Sequence, residues 1–370
     1  MKKQKTLTMA VLSGMLLAQT ALPLVQTFAQ EDTSQETSQA AESKSEEAST
    51  TEMESSQGSA TETEDASQGE SSEEKSEKDE IPTDPEELKA LIKEYGHKIT
   101  VNGHQMNIYE MGEEHKGQSK TLVFMPGLGE ASQPLTHKNL LDLLAKKYHI
   151  LVVEPFGYGL SDVSHEERTV DTIIDELHQA LQQEKVDKYL LVAHSLSGIY
   201  AMKYAQKYPE EVQGVVGMDT STPMMNGFMD MQHEEAPVDD SGAATDLPEI
   251  PDVDDEVNEQ YKLIAQLNLN NEDVADESER SNQVLLDNKD EKIPAGIPAL
   301  YLLAQDSYED IEMRREFMDK ITEDWEEQHV SMSENPNEVE THVLEGDHLI
   351  YMTQYEEMAR LIDEFAQKIK

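Results

Sequence analysis

The chain has 370 residues, with 77 acidic and 29 basic side chains, a net charge of −48 with histidines neutral, and no cysteine. Nucleic acid and anionic membrane surfaces repel a chain charged in this way. With no thiol, neither a disulfide nor a lipid-modified cysteine is available, so stability has to come from a buried core.

Lys2, Lys3 and Lys5 precede an apolar stretch from Leu7 to Val25, interrupted by Ser13, Gln19, Thr20 and Pro23, and small residues follow around Thr27 and Ala29. This is the layout of a secretory signal peptide over residues 1–29, and its polar breaks distinguish it from a membrane span. Residues 30–83 follow as a spacer. From Glu31 to Glu80 there are 17 acidic residues against Lys44, Lys75 and Lys78, and Ser, Thr, Gln and Ala make up nearly all the rest. Such a segment buries too little apolar surface to offset chain entropy, so disorder is expected. With the spacer and the leader's lysines subtracted, residues 81–370 retain 60 acidic and 23 basic side chains. Residues 84–370 suit one large α/β domain.

Within that domain, Pro85 to Tyr95 has the spacing of a short amphipathic helix, and His97 to Met111 alternates on either side of Asn102-Gly103, a strong hairpin signal. Thr121 to Met125 reads as a buried strand running into Pro126-Gly127-Leu128-Gly129, Leu135 to Lys147 as a helix, and His149 to Glu154 as a fourth strand. Pro155-Phe156-Gly157-Tyr158-Gly159-Leu160-Ser161-Asp162 follows, and then an amphipathic helix from Val170 to Gln183. Strands alternating with helices imply a parallel sheet covered on both faces, with its site beyond the carboxyl ends of the strands.

Tyr189 to Asp219 reads as strand, tight turn, helix and strand, with Ser195 at the turn and the small residues Ala193 and Ser197 two positions to either side. So abrupt a turn forces its pivot residue into a strained backbone, which only small neighbours permit. This resembles the nucleophile elbow of the α/β-hydrolase family, G-x-S-x-G, with both glycines replaced by other small residues. The turn after Glu154 also matches that family's strand-four turn, with Glu154 where the family more often has aspartate. The resemblance covers about residues 95 to 370 and implies a mostly parallel central sheet with helices on both faces and a cap inserted after strand six, here about residues 220–293.

The resemblance also assigns roles. Ser195 is the expected nucleophile, and His348, in Gly346-Asp347-His348 between the last strand and last helix, the expected general base. The backbone N–H groups of Leu128 and Leu196 are expected to form the oxyanion hole. At the usual place for the acid, after the strand Pro298 to Leu303, the register puts Ser307 where aspartate belongs. Asp219 at the end of the sixth strand is favoured instead, with Asp306 as the alternative. In the cap, Met224, Met225 and Phe228 would offer an adaptable apolar wall to a substrate.

The implied activity is that of a secreted serine hydrolase cleaving a carboxylic ester through an acyl-enzyme, acting on a small ester or lipid-like substrate and requiring neither metal nor organic cofactor. No nucleic-acid partner and no membrane span after leader cleavage are expected. A serine peptidase of the same fold and a binding protein on a retired hydrolase scaffold are the alternatives. The acidic run Asp252, Asp254, Asp255 and Glu256 lacks the glycine and ligand spacing of a calcium loop and reads as solvated surface.

Overall fold

The computed structural model describes residues 81–225, 247–269, 271–315 and 321–369. The expected signal peptide, nearly all of the expected spacer, and Phe228 lie outside the described residues.

Eight strands form one sheet: His97–Val101 (β1), His104–Met111 (β2), Thr121–Met125 (β3), His149–Glu154 (β4), Tyr189–His194 (β5), Val212–Met218 (β6), Ala299–Ala304 (β7) and Val339–Leu344 (β8). Their spatial order is β1-β2-β4-β3-β5-β6-β7-β8. β2 is antiparallel to both β1 and β4, and every other pairing is parallel. The described helices are Pro85–Leu91 (α1), Gln133–Thr136 (α2), Lys138–Leu144 (α3), Val170–Glu184 (α4), Ser197–Lys207 (α5), Asp255–Asn268 (α6), Glu272–Asp287 (α7), Gln305–Arg315 (α8), Trp325–Ser331 (α9), Ile350–Thr353 (α10) and Tyr355–Lys368 (α11).

The period of two along each strand divides the core between the faces of the sheet. Tyr189, Leu191 and Ala193 of β5 pack with Ile173 and Leu177 of α4 and Ile199 of α5. Leu190 and Val192 pack with Leu140 and Leu144 of α3 and Ile362 of α11 on the other face. The Asn102-Gly103 hairpin forms as expected, both residues adopting the left-handed conformation, with φ 51° and 92°.

Three helices are shorter than their apolar patterns suggest. α1 stops at Leu91, and Tyr95 turns inward, its hydroxyl 2.6 Å from Glu154 Oε1 and 2.7 Å from Ser132 Oγ. The helix expected over Leu135–Lys147 breaks at His137, which separates α2 from α3, and the final helix breaks at Gln354, which separates α10 from α11.

The turn after β4 is architectural. Ser161 Oγ donates to the Glu154 carbonyl at 2.6 Å and accepts from the Asn107 amide at 2.8 Å, and Asp162 Oδ2 accepts from the Gln105 amide at 2.7 Å. The Glu154 side chain is itself buried, accepting from Tyr95 Oη, Asn107 Nδ2 and the Leu160 amide. Burial outweighs these bonds and pushes its carboxyl up to about 7. The folded state therefore holds a proton on Glu154 that the unfolded chain releases at a lower pH. The stability this provides is present below the ordinary glutamate range and is lost as pH rises through about 7.

The insertion after β6 contributes α6 and α7. Val284 and Leu285 near the end of α7 join the apolar core, but its first half packs through acids. Asp273 accepts from the Ser164 and His165 amides at 2.6 and 2.9 Å, Asp276 accepts from the Arg168 amide at 2.6 Å, and Glu277 receives the hydroxyls of Tyr158 and Tyr200 at 2.8 and 2.9 Å. Among the described residues no helix is long and apolar enough to cross a membrane.

Glu154→Gln, which keeps the shape and stays neutral, is expected to raise the melting temperature over the wild type at pH 8 and to change it little at pH 5. Thermal unfolding at the two pH values checks this, and an equal effect at both contradicts it.

Candidate active site

β5 ends at His194 and α5 starts at Ser197, so the whole reversal falls on Ser195 and Leu196. Ser195 takes a φ of 54°, a region that costs a non-glycine residue on the order of 1–2 kcal/mol. The surrounding backbone holds it there. Its amide donates to the Met218 carbonyl at 3.3 Å, and its carbonyl accepts from the Gly198 and Ser221 amides at 3.0 and 2.9 Å.

Ser195 Oγ lies 3.0 Å from His348 Nε2, and His348 Nδ1 lies 2.6 Å from Asp219 Oδ2. A carboxylate only accepts, so Nδ1 carries the proton and Nε2 is left to accept from the serine hydroxyl. Asp219 is 1% exposed, and three further donors reach it: the Ala304 amide at 2.9 Å, Trp325 Nε1 at 3.1 Å and Ser307 Oγ at 2.6 Å. Burial by itself would raise its pKa, but the bonds from His348, Ser307 and Ala304 hold the carboxyl below the usual aspartate range.

Asp306, the alternative acid, does not reach His348. It is exposed in the first turn of α8, its amide donating to the Gly346 carbonyl at 3.1 Å, while its neighbour Ser307 turns inward to Asp219. The desolvation it does feel, together with Asp347 and Glu309 nearby, raises its carboxyl pKa.

Several backbone groups of the loop after β3 are engaged. The Pro126 carbonyl accepts from Ser197 Oγ, the Gly127 amide donates to Glu130 Oε2 at 3.0 Å, the Gly129 amide to Tyr158 Oη at 3.1 Å, and the Glu130 amide to the Gly127 carbonyl at 3.1 Å. Among the described residues the Leu128 amide has no hydrogen-bond partner, and neither has the Leu196 amide. Met224 is 40% exposed, and Met225 packs onto the core.

Glu130, His194, Ser307 and Trp325 also belong to this constellation, and motif reading assigned none of them a part. Ser307 carried a signal, since it stands where the elbow's family has its acid. Trp325 carried none, because only the α9 backbone, begun by a capping box at Asp324 and Glu327, brings its indole to Asp219.

With this geometry in view, the chain belongs to the α/β-hydrolase fold family. The family model for that fold matches residues 120–273. The uncharacterized protein YbdG of Bacillus subtilis (strain 168) is 30% identical over 303 residues, covering 76% of this chain and 88% of YbdG. A pimeloyl-[acyl-carrier protein] methyl ester esterase of Legionella pneumophila (strain Corby) is 31% identical over 107 residues, 29% of this chain and 40% of the esterase. A variant of the meta-cleavage product hydrolase CumD from Pseudomonas fluorescens, solved with acetates, superposes with a TM-score of 0.50 at 16% identity, over 74% of this chain and 98% of that one. That likeness is one of fold.

Trp325→Phe and Ser307→Ala each leave the buried Asp219 carboxylate one donor short. Each is expected to lower stability by about 1–3 kcal/mol, read from urea-unfolding midpoints at pH 7, and unmoved midpoints contradict this account of the acid.

Proposed function

We propose that the chain is a secreted serine hydrolase acting on a carboxylic ester. In this reading Ser195 Oγ attacks the ester carbonyl carbon as His348 Nε2 takes its proton, and Asp219 stabilises the imidazolium that results. The negative charge moves to the carbonyl oxygen, where the Leu128 and Leu196 amides receive it. The tetrahedral intermediate then collapses. The carbon–oxygen bond to the leaving alcohol breaks as His348 returns the proton to that oxygen, leaving an acyl group on Ser195. Water, deprotonated by His348, repeats the sequence and releases the carboxylic acid.

The observation that carries this reading is the unbroken hydrogen-bonded chain from Asp219 through His348 to Ser195. It is supported by the backbone amides of Leu128 and Leu196, which have no hydrogen-bond partner among the described residues, while the flanking Gly127 and Gly129 amides are paired. An ester is favoured over other acyl substrates because a relative that aligns over part of the chain is named as a methyl ester esterase. Secretion rests on the basic and apolar leader of residues 1–29. Met224 and Met225 are the described residues of the insertion proposed to meet the acyl or alkyl group.

A fluorophosphonate probe is expected to give a single covalent adduct on Ser195 of the purified protein and none on Ser195→Ala. No adduct on the wild type would mean a retired scaffold. With a nitrophenyl ester, Asp219→Asn should lose about 10³–10⁴-fold in kcat while Asp306→Asn stays near the wild type. The reverse order of losses would place the acid elsewhere.

A further inference from the structure

His194, immediately before Ser195, is 3% exposed and has no part in the proton path from Ser195 to Asp219. Its ring meets both loops that the proposed chemistry must keep in register. On one side its Nε2 lies 3.2 Å from the backbone carbonyl of His348, and the two imidazole rings lie 4.7 Å apart. On the other side it backs onto the loop after β3. A methyl group added at Gly127 would stand 2.5 Å from His194 Nδ1, so the glycine is what lets the loop backbone lie against the ring.

The hydrogen-bond chemistry assigns the tautomer. A carbonyl oxygen only accepts, so Nε2 must carry the proton, and a neutral ring then has a bare Nδ1. His194 Nδ1 is buried and has no hydrogen-bond partner among the described residues. The nearest acid, Glu130 Oε2, is 3.7 Å away, beyond hydrogen-bond reach, and is already engaged by the Gly127 amide. The other Glu130 oxygen accepts from Thr136 Oγ1 and faces His137 Nδ1 at 3.0 Å.

Burial lowers the pKa of His194, with the His348 and His137 rings adding to that effect and Glu130 opposing it. Tyr351 Oη, held neutral by its own burial, belongs to the remaining ring in contact. The ring therefore stays neutral beside His348, which in the proposed reaction must itself accept a proton.

We propose that His194 is a positioning residue. It is a neutral spacer that fixes the main chain of the base to the nucleophile strand by its Nε2–H bond and sets the distance from that base to the loop bearing the Leu128 donor. This rests on the hydrolase reading above and adds a bond to it that is independent of the reacting groups. A displacement of about 1 Å between reacting groups can cost about 10²-fold in rate, so a spacer acts on kcat and leaves binding alone.

His194→Gln and His194→Met make the test, since the two side chains have nearly the same length and flexibility and differ in the donor. In His194→Met, kcat on a nitrophenyl ester should fall about 10–100-fold with KM within about twofold, and fluorophosphonate labelling should slow in proportion. His194→Gln should recover to within about fivefold of the wild type. Equal kcat in the two variants, or a wild-type kcat in His194→Met, overturns the proposal.

The tautomer provides a check that needs neither variant to fold. In ¹⁵N spectra of the wild-type protein at neutral pH, His194 should show the Nε2–H form. An Nδ1–H or doubly protonated ring overturns the spacer. A wild type that takes up no fluorophosphonate would instead count against the hydrolase reading, while the spectra still report on the His194 bond.

Discussion

A residue with a side chain, held at positive φ where a parallel strand turns straight into a helix, is the constraint from which the rest of the site follows. Ser195 would relax if its surroundings allowed, and several contacts prevent it: the Met218 carbonyl holds its amide, and two amides hold its carbonyl. The same reversal leaves the Leu196 amide without a partner among the described residues at the start of α5, beside the carboxyl ends of the strands. Strain of this size persists only where neighbouring structure over-determines it. Here the neighbours are β6, the loop after β3 and the turn carrying His348, which are also the elements that supply the other functional groups.

Ser197 adds a bond where a glycine would have none. Its hydroxyl ties the first turn of α5 to the Pro126 carbonyl, so the loop after β3 is fastened to the helix that follows Ser195. Glu130 fastens the same loop from behind through the Gly127 amide, and Tyr158 through the Gly129 amide. Tyr158 in turn donates to Glu277 of α7, so a polar line runs from the inserted helices to the loop without passing through Ser195, His348 or Asp219. Buried acids recur in this role. Asp219, Glu130, Glu154, Asp273 and Glu277 are all nearly inaccessible, and each accepts two or more hydrogen bonds.

That habit marks where the sequence was legible and where it was not. The apolar runs of β3 to β7 and the Asn102-Gly103 turn announce the sheet, because burial on both faces and positive φ each demand particular residue types. Ser195, Asp219 and His348 were legible as a set from their order and their places at strand ends, and they come together at hydrogen-bonding distances. α7 was not legible. Its buried face carries Asp273 and Glu277, which hydropathy counts as surface, and only the amides and hydroxyls brought to them by other elements make that burial favourable. The breaks at His137 and Gln354 were hidden for a related reason. Apolar spacing continues through both, and His137 is claimed instead by Glu130 and by stacking on Tyr351, with ring centroids 3.6 Å apart.

The most direct measurement of whether the strained bend serves acyl transfer is a crystal structure of the protein inactivated by a phosphonate ester. A phosphorus–oxygen bond to Ser195 Oγ is expected, with the phosphonyl oxygen about 2.7–3.1 Å from both the Leu128 and Leu196 nitrogens. A phosphonyl oxygen turned away from both amides, or phosphorus bound to any other side chain, would contradict it.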